Sequence, residues 1–473
     1  MKSGYLYKIC YLFYVLIFAW LITHGDFNLF KGEGNYAFDS LSSSLLNFQC
    51  SVEKGAINWE AFVINNKNYM YFGPFPALLR IVLNFIFPGF FGMWSLFSCM
   101  LASMLCVAGF SFLIKAILDD SNTLPIKLRR FFLFISQFTF ALGTPIFFLM
   151  IGGSIYHESI LWGLSFSILS IAKLYDLLKT KTDYFTSLFM FSLLAGLALL
   201  SKITYGLPLY AILIAYIIKM IVVDSRKNTL RLLTASIPAW LALIFQFWYN
   251  SCRFGNMFTF INYKYYYPWI LYPQELEKFQ KIGILNLKRI PSAAFNYLGL
   301  RPEYFSFKAP FFNFSLPVLA NKSVFMNYQE HVISLTIVSL FFTIASIISI
   351  YWMIKEKNQI FVKFCALSFL GQIIFILAFS FGITHRYLAD FIPFYVFMYS
   401  YFIFQIGNKK SFSVNNSTKL IAIGIVLSLF SIIATIFSTF DIILKTFNCC
   451  NDFKASIEDL FTFINNFTSW FSF

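Results

Sequence analysis

LLSKITYGLPLYAILIAYIIKMIVVDSRKNTLRLLTASIPAWLALIFQFWYN, residues 199–250, is the stretch on which the fold turns. Its segments 204–223 and 232–250 are apolar and close to the roughly 20 residues that a helix needs to cross a bilayer. Arg226, Lys227 and Arg231 lie between them. An apolar run, a short basic turn and a second apolar run form a helical hairpin whose turn faces the cytoplasm.

The same unit repeats outward along the chain. Apolar segments near 9–23, 90–118, 131–150, 159–178, 184–201, 332–354, 364–382, 391–407 and 419–440 complete a set of about eleven expected transmembrane helices. With Lys2 and Lys8 inside, every second connection is basic. These connections carry Lys127, Arg129 and Arg130, then Lys173, Lys179 and Lys181, then Lys355, Lys357 and Lys363, and last Lys409, Lys410 and Lys419. The expected topology has the N-terminus in the cytoplasm and the C-terminus outside. The first run, from Ile9 to Thr23, has no small-residue cleavage site after it and reads as a helix rather than a signal peptide.

Composition agrees. The 473 residues are 59% hydrophobic and only 12% charged, too few charges for the surface of a soluble protein of this length. The net charge of +15 would suggest nucleic acid, but its placement in alternate connections makes it a topology signal, and no nucleic-acid partner is expected. The fold class is all-α and polytopic. The expected divisions are a membrane module over 1–250 with a long first outer loop (24–89), a second long outer loop (251–331), C-terminal transmembrane helices (332–440) and an outer amphipathic tail (441–473). No internal repeat is visible. In the tail, Phe453, Ile457, Leu460, Phe461, Ile464, Phe467 and Phe471 form one stripe, as in a helix lying on a membrane surface.

This topology sorts the chemistry to the outer side. His24, His157, His331 and His385 all fall at outer ends, as do Asp26, Glu33, Asp39, Glu53, Glu60, Glu158 and Asp390. Of the cysteines, Cys99, Cys106 and Cys365 lie inside helices, while Cys50, Cys252, Cys449 and Cys450 fall outside, where a disulfide is allowed. No CxxC spacing points to zinc.

Several outer segments combine ionisable groups with helix ends. YAFDSLSSSLLNF (36–48) has helical apolar spacing but is too short to span, which suits an interfacial helix. In NNKNYMYFGPFPALLRI (65–81), Pro74 and Pro76 put the helix start at Ala77, and Arg80 stands in the apolar run that follows. Such a cation either snorkels or meets an anion. In IGGSIYHESILWG (151–163), Gly152 and Gly153 suit a tight turn, and His157 and Glu158 open the next helix, where the dipole favours an acid. The tyrosines of WYNSCRFGNMFTFINYKYYYPW (248–269) suit an aromatic belt or a stack on sugar rings. In FGITHRYLADFIP (381–393), Arg386 and Asp390 are four apart and could pair.

These segments together resemble the GT-C glycosyltransferases, a superfamily that includes protein O-mannosyltransferases, aminoarabinose transferases of lipid A and the oligosaccharyltransferase catalytic subunit. GEGNYAFDSLSSSLL (32–46) is similar to the acidic-acidic-x-x-Tyr-Ala stretch after the first helix. NYMYFGPFPALLR (68–80) resembles the aromatic, Pro-containing stretch before the second helix, and LLSKITYGLPL (199–209) the Lys-containing start of the sixth. THRYLADFIPF (384–394) resembles the Arg-Tyr motif before a late helix. The likeness covers roughly residues 1–400 in layout. One departure is Gly32, where many members carry the first acid, so either Glu33 is the base or Asp26 or Asp39 takes the role.

The resemblance implies transfer of a hexosyl or pentosyl group from a polyprenyl-phosphate or polyprenyl-diphosphate carrier to a lipid, glycan or protein acceptor. The reaction would occur on the outer face of the cell membrane, in envelope glycan or lipopolysaccharide biosynthesis. A carboxylate (Glu33, Asp26 or Asp39) would take the acceptor proton. Arg80, Lys202, Arg253, His385 and Arg386 would face the lipid phosphate. Glu158 with His157 would hold Mg or Mn, as in metal-dependent members; metal-independent members also exist. The expected partners are the lipid-linked donor, membrane lipids and an acceptor. Two other classes share features: an O-antigen-type polymerase, with which Arg253, Arg301 and Arg386 are compatible, and a lipid-linked glycan transporter, which would call for ionisable groups deep within helices.

Overall fold

The computed structural model describes residues 3–32, 36–121, 124–151, 154–179, 184–223, 229–356, 358–408, 414–446 and 451–469. The described chain is mostly helical. Helices α1 (Ser3–Ile22), α2 (Ala37–Leu46), α3 (Phe75–Ile86), α4 (Ser95–Asp119), α5 (Ile126–Leu142), α6 (Ile146–Leu149) and α7 (Ile155–Lys179) come first. They are followed by α8 (Phe185–Ser201), α9 (Ile203–Val223), α10 (Thr229–Phe254), α11 (Tyr267–Leu271), α12 (Pro273–Ile282) and α13 (Ile290–Leu298). The last are α14 (Leu335–Val338), α15 (Leu340–Lys355), α16 (Ile360–Phe379), α17 (Ile392–Asn408), α18 (Val414–Thr446) and α19 (Asn451–Ser469). One hairpin, β1 (Phe62–Ile64) with β2 (Lys67–Tyr69), lies in the first long connection.

Seven of the described helical segments are long and apolar enough to cross a membrane: α4, α7, α9, α10, α16, α18 and the segment His385–Asn408 that contains α17. This is the layout of a multi-pass membrane protein. The segments expected at 9–23, 184–201 and 332–354 correspond to the shorter apolar helices Tyr11–Ile22, Phe185–Ser201 and Leu340–Lys355. Two expected runs are broken. The run at 131–150 divides into α5 and α6 around Gly143 and Pro145, because Pro145 has no N–H to continue the ladder. The run at 332–354 divides at Ser339 into α14 and α15. At α3 the helix starts two residues before Ala77, with Pro76 in its first turn, where a missing N–H costs nothing.

One buried apolar cluster runs from Tyr14 of α1 through Phe110, Phe140, Leu199 and Tyr399 to Phe461 of α19, so the last third of the chain shares the core of the first. The tail helix buries Phe453, Ile457 and Phe461, and Phe461 stacks on Phe437 of α18. Polar side chains of neighbouring helices bond to the α10 backbone on either side of Pro238, which lies inside that helix. Ser192 Oγ of α8 donates to the Ser236 carbonyl and accepts from Ala239 N, each at 2.9 Å, and Tyr210 Oη donates to the Ala239 carbonyl at 2.6 Å. With no water in the hydrocarbon layer, neighbouring helices must satisfy such groups.

The two long connections meet at one end of the bundle. In the hairpin, Asn65 and Asn66 have φ of 50° and 60°, the left-handed pair that a tight two-residue turn needs. The hairpin docks on the second connection: Phe62 bridges Tyr266, and Tyr267 N donates to the Ala61 carbonyl at 2.9 Å. A Cys50–Cys252 disulfide joins the first connection to the end of α10. It uses two of the cysteines expected in an oxidising location; Cys449 and Cys450 lie outside the described residues. Elsewhere Lys179, at the end of α7, pairs with Asp120 after α4, and Lys219 of α9 lies over the Phe361 ring of α16.

Candidate functional site

A cavity of about 730 Å³ opens where the two long connections cover the starts of α7 and α9. Its cations are Lys202, Arg253 and Arg386, and its one carboxylate among the described residues is Glu60. Tyrosines from four segments supply much of the wall, with Phe375 and Phe379 of α16 making one side apolar. Gly73 belongs to the wall for a steric reason: a Cβ there would collide with the Leu200 and Ser201 carbonyls at the end of α8.

Each cation is held differently. Lys202 sits in the extended link between α8 and α9, and its Nζ lies 2.6 Å from Asp390 Oδ2; Thr204 Oγ1 donates to Asp390 Oδ1 at 2.7 Å. Arg386 stacks on Tyr156 at 3.6 Å and places Nη2 3.0 Å from Glu330 Oε1. The possible Arg386–Asp390 pair does not form. Residues 385–391 wind as a 3₁₀ helix, in which positions four apart no longer share a face. Arg253 stacks on Tyr249 at 3.9 Å, and its donors go to the Met70 carbonyl at 2.7 Å and to Asn250 Oδ1 at 2.8 Å. No carboxylate among the described residues pairs with it; its third nitrogen, Nε, donates to the Tyr249 carbonyl. Two other lining groups, Gln246 Oε1 and Thr384 Oγ1, are buried without a hydrogen-bond partner. A ligand with both donors and acceptors would satisfy them.

Glu60 closes a short 3₁₀ turn just before the hairpin, and Tyr266 Oη donates to its Oε2 at 3.3 Å. Burial pushes the phenols of Tyr71, Tyr263 and Tyr266 upward, so these three remain neutral donors.

Glu330 of the second connection clasps the motif that follows α16. Its Oε2 lies 3.1 Å from His385 Nδ1, and its Oε1 accepts from Tyr328 Oη at 2.6 Å as well as facing Arg386. Burial alone would raise the Glu330 carboxyl; the close His385 imidazole and the Arg386 charge outweigh it and hold its pKa down to about 2. Unfolded, the group titrates near 4.3. A depressed carboxyl contributes stability that is complete above the unfolded value and disappears as pH falls toward the folded one. Thermal stability should therefore fall between roughly pH 4 and pH 2, with a smaller slope in Glu330→Gln. An unchanged slope in that variant, measured by thermal unfolding in detergent, would remove the clasp from the account.

A second cluster lies beside the cavity but does not line it. Arg80 of α3 is fully buried between two carboxylates: Nη2 is 2.6 Å from Glu158 Oε1 of α7, and Nε is 3.5 Å from Asp39 Oδ2 of α2. Glu158 is 0% exposed and Asp39 1%. Arg80, expected to face a lipid phosphate, thus spends its charge internally, because a guanidinium at this depth needs a fixed counter-ion. Asp39 Oδ1 also accepts from Asn84 Nδ2 at 2.9 Å, and Asn84 Oδ1 from Trp94 Nε1 at 2.8 Å.

The remaining expected residues scatter. Asp26 is on the surface, paired with Lys31. Glu33, with Gly152 and Gly153, lies outside the described residues. His157 is buried with its ring 6.4 Å from that of His385. Lys202, Arg253 and Arg386 converge on the cavity, whereas Asp39, Arg80 and Glu158 converge on one another. Glu60 was one of many acids that the expected topology put outside, with nothing local to single it out. Glu330 and Gln246 carried no motif at all, and Thr384 opened the Arg-Tyr motif without being singled out.

No family model matches the chain, and no curated protein does. Its backbone is similar to two solved structures of the oligosaccharyltransferase of Archaeoglobus fulgidus. The apo form has 13% identity and a TM-score of 0.47, with 95% of this chain and 59% of that chain covered. AglB in complex with an inhibitory peptide and a dolichol-phosphate has 12% identity and a TM-score of 0.48, with 96% and 59% covered. The chain therefore spans 59% of the length of each structure it resembles.

Proposed function

We propose that this protein is a membrane glycosyltransferase that moves a sugar from a polyprenyl-phosphate or polyprenyl-diphosphate carrier to a lipid, glycan or protein acceptor on the outer face. The observation that carries the reading is the cavity's composition: three cations, one carboxylate, aromatic walls and an apolar flank in one space of about 730 Å³. A lipid phosphate needs cations at its head and an apolar surface along its chain. A sugar needs flat rings and polar edges. The four GT-C-like motifs of the sequence point the same way.

In this reading Lys202, Arg386 and Arg253 face the phosphate, and His385 keeps Arg386 in place through Glu330. The acceptor oxygen attacks the anomeric carbon while the bond from that carbon to the phosphate oxygen breaks. The electron pair leaves on the phosphate, where the cations stabilise it. The acceptor proton passes to a carboxylate, and among the described residues Glu60 is the one on the cavity wall. Glu33 is the alternative base, and Asp39 is engaged by Arg80 and Asn84.

The lipid-linked species that accumulates when the protein is absent identifies the donor. Purified protein in proteoliposomes should then transfer the labelled sugar from it. Glu60→Gln should lose transfer by about 10²-fold or more while still binding the donor. Parental turnover in Glu60→Gln together with loss in Glu33→Gln would move the base to Glu33. Movement of the donor between leaflets without any transfer would favour a transporter instead.

A further inference from the structure

The buried cluster of Asp39, Arg80 and Glu158 occupies the place where the GT-C likeness would put a divalent ion, and its geometry does not suit one. Mg and Mn require about six oxygen ligands at about 2.1 Å. Here Glu158 Oε1 is taken by Arg80 Nη2 at 2.6 Å, Asp39 Oδ2 faces Arg80 Nε at 3.5 Å and Asp39 Oδ1 accepts from Asn84, which leaves Glu158 Oε2 as the one carboxylate oxygen of the pair without a partner, far short of about six ligands. Among the described residues no three His, Cys, Asp or Glu side chains are grouped so as to hold a metal. His157 does not join the pair; its ring packs near that of His385.

We infer that Arg80 is the resident cation of this acidic pair, standing where a divalent ion would otherwise bridge Asp39 and Glu158, so that the pair binds no divalent metal. A guanidinium never deprotonates under ordinary conditions and, being covalently attached, cannot be removed by chelation. A dication brought to these oxygens would meet that charge at contact distance, in surroundings that screen it little. The three residues are 0–1% exposed and come from three separate helices, so the pair also ties α2 and α3 to the first turn of α7. Tyr156 and Ser159 of that same turn line the cavity. This inference stands on the cluster alone and does not rest on the proposed transfer reaction.

The test is Mn²⁺ uptake by the purified full chain in lipid nanodiscs, read by electron paramagnetic resonance, for the parent, Glu158→Gln and Asp39→Asn. The expected results are no stoichiometric uptake by the parent, or uptake that both variants retain because the ion sits elsewhere. One Mn²⁺ per parental chain that either carboxamide variant loses overturns the inference. Should both variants misfold, the distance from bound Mn²⁺ to a nitroxide placed at exposed Lys322 decides. A distance matching the Asp39–Glu158 pair overturns the inference; any other distance, or no uptake, supports it.

Discussion

Lys202→Met should lower sugar transfer by on the order of 10²- to 10³-fold, the usual loss when one group that stabilises developing charge is removed. Lys202 Nζ stands on the cavity wall with a single carboxylate partner, Asp390, which is completely buried and also held by Thr204. The ammonium therefore has donors left for a phosphate oxygen, and its position is fixed by a residue nearly two hundred places away in sequence. Two controls separate phosphate binding from folding. Lys202→Arg keeps the charge and should retain more activity than the methionine variant. Asp390→Asn frees Lys202 from its anchor and should weaken donor binding without removing the cation. Initial rates with the donor at saturation provide the measurement. A folded Lys202→Met protein with parental rate would place the phosphate elsewhere.

Arg80→Met should cause the largest loss of stability. The change leaves the Asp39 and Glu158 carboxylates buried without their cation, and breaking such a pair from one side costs about 3–5 kcal/mol. Little folded protein should be recovered in detergent, as judged by gel filtration and thermal unfolding. Neutralising the stranded acids should recover much of the loss, so Arg80→Met with Asp39→Asn and Glu158→Gln should be more stable than Arg80→Met alone. Equal stability of the single and triple variants would show that the cluster is not an electrostatic unit.

Particular elements show what the sequence made legible. Apolar runs such as 204–223 and 232–250 could be read directly, because crossing a hydrocarbon layer constrains length and composition over many residues. They appear as α9 and α10 with boundaries shifted by a few residues. The stretch 36–48, expected as a short interfacial helix, is helical from Ala37 to Leu46. Helix breaks at Gly143 and Ser339 were harder to foresee, since both lie within continuous apolar runs.

The candidate site divides along another line. Lys202 and Arg386 lie in motifs with a recognisable local form, and both reach the cavity. The partner of each was not legible. Asp390 serves Lys202 rather than Arg386, and Arg386 turns to Glu330, because pairing follows the 3₁₀ winding and the path of the second connection, not sequence spacing. Arg80 could be recognised as anomalous but not assigned. Burial depth decided whether its counter-ion came from the protein or from a ligand, and only the meeting of α2, α3 and α7 settles that. Glu60 became distinct only when the hairpin brought it to Tyr266.

The central claim is that the cavity takes a lipid phosphate at Lys202, Arg253 and Arg386. Native mass spectrometry of the purified protein with undecaprenyl phosphate, and separately with the matching alcohol, tests it most directly. The account predicts one phosphate lipid bound per chain, little binding of the alcohol, and loss of the phosphate lipid in Lys202→Met and Arg386→Met. Equal binding of the alcohol and the phosphate, or full retention in both variants, would contradict it.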